Sequence, residues 1–264
     1  MLDRARVEDI FKQIRPRSVI YLYSGGKDSS LALLLTRDLV KDLCSVIGCK
    51  VYVVHIVVTG NSLPANTWCS QYVMKWHEKN YGFIPAVLAA SKSFPDLVCK
   101  YGFQTMSGRW CWTEFKEKPL RSFEQVIPRP ILEIDGMSKS DSRWRAEIMK
   151  SEIEHIKTNG GRDYWSWHPL FSSDLDSDKK MEILRRYPEF SCVVKLYELY
   201  GDSMNCVICP YKSKEKLMKL AGSDPAVSIY WSLIESCVKS GRWRNKLSLL
   251  NSSKKITDYI NSSF

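Results

Sequence analysis

The chain has 264 residues, is 44% apolar and 12% aromatic, and carries a formal net charge of +10 and nine cysteines. That composition excludes a disordered polymer, and no apolar run approaches the roughly 20 residues that cross a bilayer. The expected setting is cytoplasmic, where an odd cysteine count argues against a disulfide framework and for metal or redox chemistry.

Taken in chain order, residues 1–17 are charged and helical in pattern. Val19 to Tyr23 is an apolar run that reads as a buried strand, and Leu31 to Leu35 reads as a helix. Between them stands Ser24-Gly25-Gly26-Lys27-Asp28-Ser29-Ser30. A strand–glycine turn–helix unit aims backbone N–H groups and the positive helix end at an anion. Gly25 and Gly26 allow close approach, Lys27 adds a point charge, and Ser24, Ser29 and Ser30 add hydroxyls. Asp28 suits either a helix cap or a magnesium ligand. The spacing is not that of a Walker A loop.

Val51 to Val58 is a second strand, ending at Thr59-Gly60-Asn61. Within it His55 is expected to be a buried, satisfied histidine. Thr67 to Tyr81 is helical in period, and His77-Glu78 lacks the second histidine of a zinc-protease helix. Ala86 to Ala90 and Ile131 to Ile134 are further strands, the latter running into Asp135-Gly136. Arg143 to Lys157 reads as a charged helix stopped by Asn159-Gly160-Gly161. Asp174, Asp176 and Asp178 form the acidic start of a helix running to Tyr187 rather than a calcium loop. The alternation predicts an α/β fold, a doubly wound, mostly parallel sheet with helices on both faces. In such sheets ligands bind at the carboxyl ends of strands, so the Ser24 loop and Thr59-Gly60 should face one crevice. The expected organisation is an N-terminal helix (1–17), a nucleotide-binding domain (18–213) and a basic helical extension (214–264).

Cys206-Val207-Ile208-Cys209 spaces two thiolates to bind one metal. Cys111, in Arg109-Trp110-Cys111, is a third candidate ligand, with Cys192, or alternatively Cys99, as a fourth. An iron–sulfur cluster of the [4Fe-4S] type is the first reading, and a structural zinc site its rival. From Tyr211 onward ten Lys/Arg face four Asp/Glu, with Tyr230, Trp231 and Trp243 among them. Basic residues interleaved with aromatics suit nucleic acid, although a solvated helical face gives the same pattern.

Several of these motifs resemble the ATP pyrophosphatase (PP-loop) superfamily and its PAPS-reductase-like branch. The Ser24–Ser30 string is similar to the pyrophosphate loop, and Arg109-Trp110-Cys111 with Lys116 and Pro119 to an Arg-Trp-Cys…Lys…Pro signature. Thr59-Gly60-Asn61, the Gly136…Arg145 segment, His168-Pro169-Leu170 and Cys206-x-x-Cys209-Pro210 follow in family order. The resemblance implies cleavage between α and β phosphates, with ATP, or else adenylyl sulfate or PAPS, as nucleotide, together with Mg²⁺. It implies nucleotide contacts from Ser24 to Ser30, Thr59, Gly60, Arg109, Lys116 and Gly136, and catalytic roles for Lys27, Asp28 and Arg145. Ser138 and Asp141 depart from the usual Arg and Glu. The C-terminal Glu-Cys-Gly-Leu-His tail of the reductases is missing, and Cys237 does not replace it in context. The expectation is therefore sulfur transfer to a nucleic acid such as tRNA or DNA, with a sulfur-donor protein or thioredoxin-like reductant as partner. Sulfonucleotide reduction is the alternative, and a zinc-containing nucleic-acid-binding module without catalysis is a third reading. A homo-oligomer is compatible with all three.

Overall fold

The computed structural model describes residues 4–102, 104, 108–139, 146–147, 149–158, 161–209, 212, 220, 225, 227–230 and 232. Arg143, Arg145, Asp141, Cys237, Trp231, Trp243 and most of the basic extension lie outside them.

Helix α1 (Arg4–Ile14) leads into strand β1 (Ser18–Leu22), helix α2 (Lys27–Ile47) and strand β2 (Lys50–Val57). Helix α3 (Pro64–Tyr81), strand β3 (Ile84–Ala89) and helix α4 (Phe94–Tyr101) follow. A short helix α5 (Trp110–Trp112) runs through a π-helical turn (Thr113–Glu117) into α6 (Lys118–Glu124). Strands β4 (Ile131–Ile134), β5 (Ile153–Lys157) and β6 (Asp163–Trp167) complete the sheet. Two last helices, Ser177–Arg185 and Ser191–Tyr200, close the described core.

The sheet order is β3-β2-β1-β4-β6-β5. All neighbours are parallel except β5, which runs antiparallel to β6 at one edge. The chain winds from β1 outward through β2 and β3, then returns to lay β4 on the other side of β1. The reversal puts a crevice at the carboxyl ends of β1 and β4, the place where open α/β sheets receive ligands.

One sheet face is buried under α1, α2, α3 and the two last helices, through Val19, Tyr21, Val51, Val53, Leu132 and Ile134. The opposite face carries Ile20, Tyr52, Val54 and Ile131 under Leu120 of α6. This is the expected doubly wound arrangement with helices on both faces. A third cluster, with Val58, Phe94, Phe115, Val207 and Ile208, caps the carboxyl end of β2. Leu220 and Val227, from the expected extension, are buried in it, and Tyr230 donates to the Ser62 carbonyl at 3.1 Å.

Two sequence expectations are corrected here. Residues 153–157 form strand β5, not the end of a helix, because β6 offers a full antiparallel ladder from Ile153↔Trp167 to Lys157↔Asp163. Disulfides are present: Cys44–Cys49 joins the end of α2 to the start of β2, and Cys69–Cys192 joins α3 to the Ser191–Tyr200 helix. Cys99 is also disulfide-bonded. The Cys69–Cys192 link spans 123 residues, and a loop of that size stabilises by about 5 kcal/mol in the chain-entropy account.

Candidate functional site

The phosphate-loop candidate sits at the reversal point. Tyr23 continues β1 by donating its N–H to Val54 O at 2.8 Å. Gly25 then adopts φ +72°, and a Cβ there would lie 2.3 Å from Ser70 Oγ and 2.6 Å from Asn66 Nδ2. Only glycine fits this turn, both for its backbone and for its neighbours. Gly26 is the residue before α2, and no side chain caps that helix start. The loop is braced from within: Ser24 Oγ and Ser29 Oγ lie 3.1 Å apart, and Gly26 N–H donates to Ser24 Oγ at 3.3 Å. Ser30 Oγ is engaged with Tyr23 Oη at 3.1 Å and is buried.

Asp28 does not cap the helix; its carboxylate is held by two lysines. Lys27 Nζ donates to Oδ2 at 3.0 Å, and Lys180 Nζ, from the Ser177–Arg185 helix, donates to Oδ1 at 2.8 Å. Burial opposes the charge on Asp28, but the two lysines outweigh it and its pKa falls below the ordinary carboxylate value. Lys27 is further placed by Tyr197, whose hydroxyl accepts the Lys27 N–H at 3.3 Å and whose ring centre lies 5.6 Å from Nζ. Neither Lys180 nor Tyr197 is adjacent to the loop in sequence. Their only sequence signal is a cation and an aromatic on helices late in the chain.

From α3, Asn66 Nδ2 donates to Ser24 O at 3.3 Å. Among the described residues, Asn66 Oδ1 and Ser70 Oγ are buried and find no hydrogen-bond partner, as is the case for His55 Nε2. His55 is buried as expected and only half satisfied: its Nδ1 bonds Tyr23 O at 2.9 Å. Burial, then Lys116, lowers its pKa to about 4, so the ring is neutral. Three side chains touching residues 23–25 thus carry unmet polar atoms under the loop, each costing about 1–3 kcal/mol if left so.

Across the crevice, Gly136 follows β4 and abuts α2; a Cβ on it would lie 2.4 Å from the Asp28 carbonyl carbon. Thr59 O accepts the Phe94 N–H at 2.7 Å, and Gly60, at φ +78°, packs on Pro95. Asn61 joins this turn to the Cys206–Cys209 segment. Its Oδ1 accepts Ile208 N–H at 2.7 Å and its Nδ2 donates to Ile208 O at 3.0 Å. The loop and the Thr59–Gly60 turn therefore lie at the same end of the sheet. Lys116 and Arg109 lie over the half-exposed Trp112 ring, 5.7 and 5.2 Å from its centre.

Cys111, Cys206 and Cys209 are outside any disulfide. They are close enough that, after burial, Cys206 raises the Cys111 pKa, with Cys209 adding to it. Cys192 is not a metal ligand, because its sulfur is bonded to Cys69; Cys99 is excluded in the same way. Among the described residues no three His, Cys, Asp or Glu side chains converge on one ion. The three thiols suit a metal chemically.

No family model matches the chain. It is 26% identical over 255 residues to Uncharacterized protein MJ0066 of Methanocaldococcus jannaschii, covering 91% of this chain and 48% of that protein. It is 24% identical over 219 residues to Uncharacterized protein MJ0973 of the same organism, covering 79% and 45%. The chain spans about half the length of these curated relatives. Among solved structures, the phosphate complex of phosphoadenylyl-sulfate (PAPS) reductase from Candida auris is similar at TM-score 0.41 and 14% identity. That alignment covers 70% of this chain and 79% of that one. No helix among the described residues is long and apolar enough to cross a membrane.

Proposed function

We propose that the chain is a PP-loop enzyme of the PAPS-reductase-like kind that binds ATP on residues 24–30 and transfers its adenylyl group to an acceptor, releasing pyrophosphate. The observation that carries this reading is the Lys27–Asp28–Lys180 group beside a glycine turn at the β1/β4 reversal: two ammonium groups share one carboxylate. Two lysine ammonium groups at the start of a helix suit phosphate. In this mechanism Lys27 and Lys180, held by Asp28, stabilise charge developing on the departing pyrophosphate without having to reorganise. Tyr197 fixes the orientation of Lys27. Thr59, Gly60, Arg109 and Lys116 would contact the nucleoside beyond the phosphates. The adenylylated position, on a nucleic acid such as tRNA or DNA, would then accept sulfur from a donor protein; the chain's net charge favours such a polyanion.

Magnesium, when bound with the nucleotide, would screen the phosphates, but Asp28 is engaged by lysines and no step here relies on it. An iron–sulfur cluster or zinc ion on Cys111, Cys206 and Cys209 likewise stays outside the mechanism; iron, zinc and sulfide analysis of anaerobically purified protein tests it separately. The same thiols favour the second reading, reduction of adenylyl sulfate or PAPS, since a thiol at this end of the sheet could attack the sulfonucleotide sulfur.

Pyrophosphate release from ATP, assayed with and without bulk tRNA or DNA, decides between them. Release stimulated by nucleic acid supports adenylyl transfer. Sulfite release from adenylyl sulfate or PAPS with a thiol donor, and no pyrophosphate from ATP, would replace it with the reductase reading.

A further inference from the structure

Beside the loop, on the far side of β4, lies a pair of side chains that the mechanism above does not use. Asp135 follows β4 and His168 follows β6, and their strands are in register, with Ile134 opposite Trp167. His168 Nδ1 and Asp135 Oδ1 are 2.8 Å apart, and the same oxygen accepts the Met137 N–H at 2.8 Å. Asp135 therefore accepts the hydrogen bond of Nδ1–H and leaves Nε2 as the acceptor edge of the neutral ring. Nε2 has no protein partner among the described residues and is not among the sealed, unpartnered atoms. The next residue after Asp135 is Gly136, pressed against Asp28 and Ser29. His168 follows the strand two places from β1 in the sheet, roughly 10 Å away at the same carboxyl end.

We propose that His168, oriented by Asp135, is the proton acceptor of the nucleotide site. As an acceptor oxygen bonds to the α-phosphorus, the proton the acceptor loses passes to His168 Nε2. The bond from the α-phosphorus to the α–β bridging oxygen breaks, and its electron pair leaves with pyrophosphate. This rests on the adenylyl-transfer reading.

The charges around the imidazole are Asp135 from β4 and Glu152 and Glu154 at the entry to β5. Arg6 of α1 lies 3.5 Å from Glu152, and the Lys139 ammonium lies over the Phe171 ring at 4.1 Å. Burial disfavours the charged ring, but Asp135 and then the two glutamates outweigh it, so the pKa is raised above 6.5. A base with that property gives turnover that climbs as pH rises through this raised pKa.

The test uses the full chain and α,β-methylene-ATP, which cannot be cleaved at the α–β position. Histidine resonances are titrated with and without the analogue, and binding is followed by calorimetry. Expected is binding together with an upward shift of the His168 midpoint, with His55 and His77 unmoved. If the analogue binds and His168 does not respond, the proposal falls while the nucleotide site stands. If the analogue does not bind, both fall. In turnover, His168→Asn keeps a donor for Asp135 and removes Nε2; it should lower kcat by about 10²–10⁴-fold with little change in KM and abolish the rise with pH. Partial rescue by added imidazole supports the assignment. An unchanged kcat and pH profile would make the pair a structural brace of the Gly136 turn and overturn it.

Discussion

Two ion groups in this protein have similar ingredients and opposite exposure. On the α6 side of the sheet, Arg162 Nε donates to Glu124 Oε2 at 2.9 Å and Nη2 donates to Glu133 Oε1 at 2.7 Å, all three side chains buried. Burial, and then the bond to Glu124, raises the Glu133 pKa well above the usual carboxylate range, so this residue holds its proton. One cation then faces one anion, and the group is closed on itself. At the loop, two lysines face the single carboxylate of Asp28, which remains 28% exposed. The first group is shut away from solvent; the second is partly open to it. Access to solvent, more than the presence of charge, separates the structural group from the candidate site.

The strongest way to break this comparison is at the closed group. Arg162→Met leaves Glu124 buried and uncompensated and should cost about 3–5 kcal/mol in urea denaturation. Turnover per folded molecule should be unaffected; a parallel loss of turnover would mean that the triad also serves the site. At the open group the reverse is expected. Lys27→Ala should lower kcat/KM for pyrophosphate release by about 10²–10³, close to 3–4 kcal/mol of barrier, with the urea midpoint nearly unmoved. Unchanged turnover would remove the loop from the mechanism. Gly136→Ala tests the seam between strand and loop. Its Cβ meets the Asp28 backbone, so roughly 1–3 kcal/mol of stability should be lost, and turnover should fall with it.

The smallest effect is a pH dependence. His168 has a folded pKa above its unfolded value near 6.5. Its bond to Asp135 therefore contributes stability fully below pH 6.5, and that contribution disappears as pH rises through the folded value. Wild type and His168→Asn, compared by thermal denaturation across this window, should differ more at the acid end than at the alkaline end. A constant gap would show that the pair does not titrate with folding.

The loop was legible because seven consecutive residues, Ser24 to Ser30, contain both the turn and its charge. The strands β1, β2 and β4 were legible because they are largely buried and mostly apolar, broken only by Ser18, Lys50, His55 and Glu133. β5 was read as helix because Ile153 and Ile156 stand three apart, and an edge strand with exposed charges lacks the apolar run of its neighbours. Lys180, Tyr197, Asn66 and Ser70 were not assigned to the site, since each reaches the loop by tertiary packing across 42 to 170 positions. The cysteines misled for the same reason. Cys192 stands fourteen residues before Cys206 in sequence, yet its sulfur meets Cys69 on a neighbouring helix.

That Cys69–Cys192 bond ties together the two helices that flank the loop. Asn66 and Ser70 hold Gly25 from one side, one turn or less from Cys69; Tyr197 holds Lys27 from the other, five residues past Cys192. The loop of residues 24–30 is thus gripped between two helices joined by that bond. Cutting it with a reductant touches no residue of the loop, yet it frees both helices to spread, so the loop's hold on its neighbours becomes a function of the redox state of a bond on its outer side.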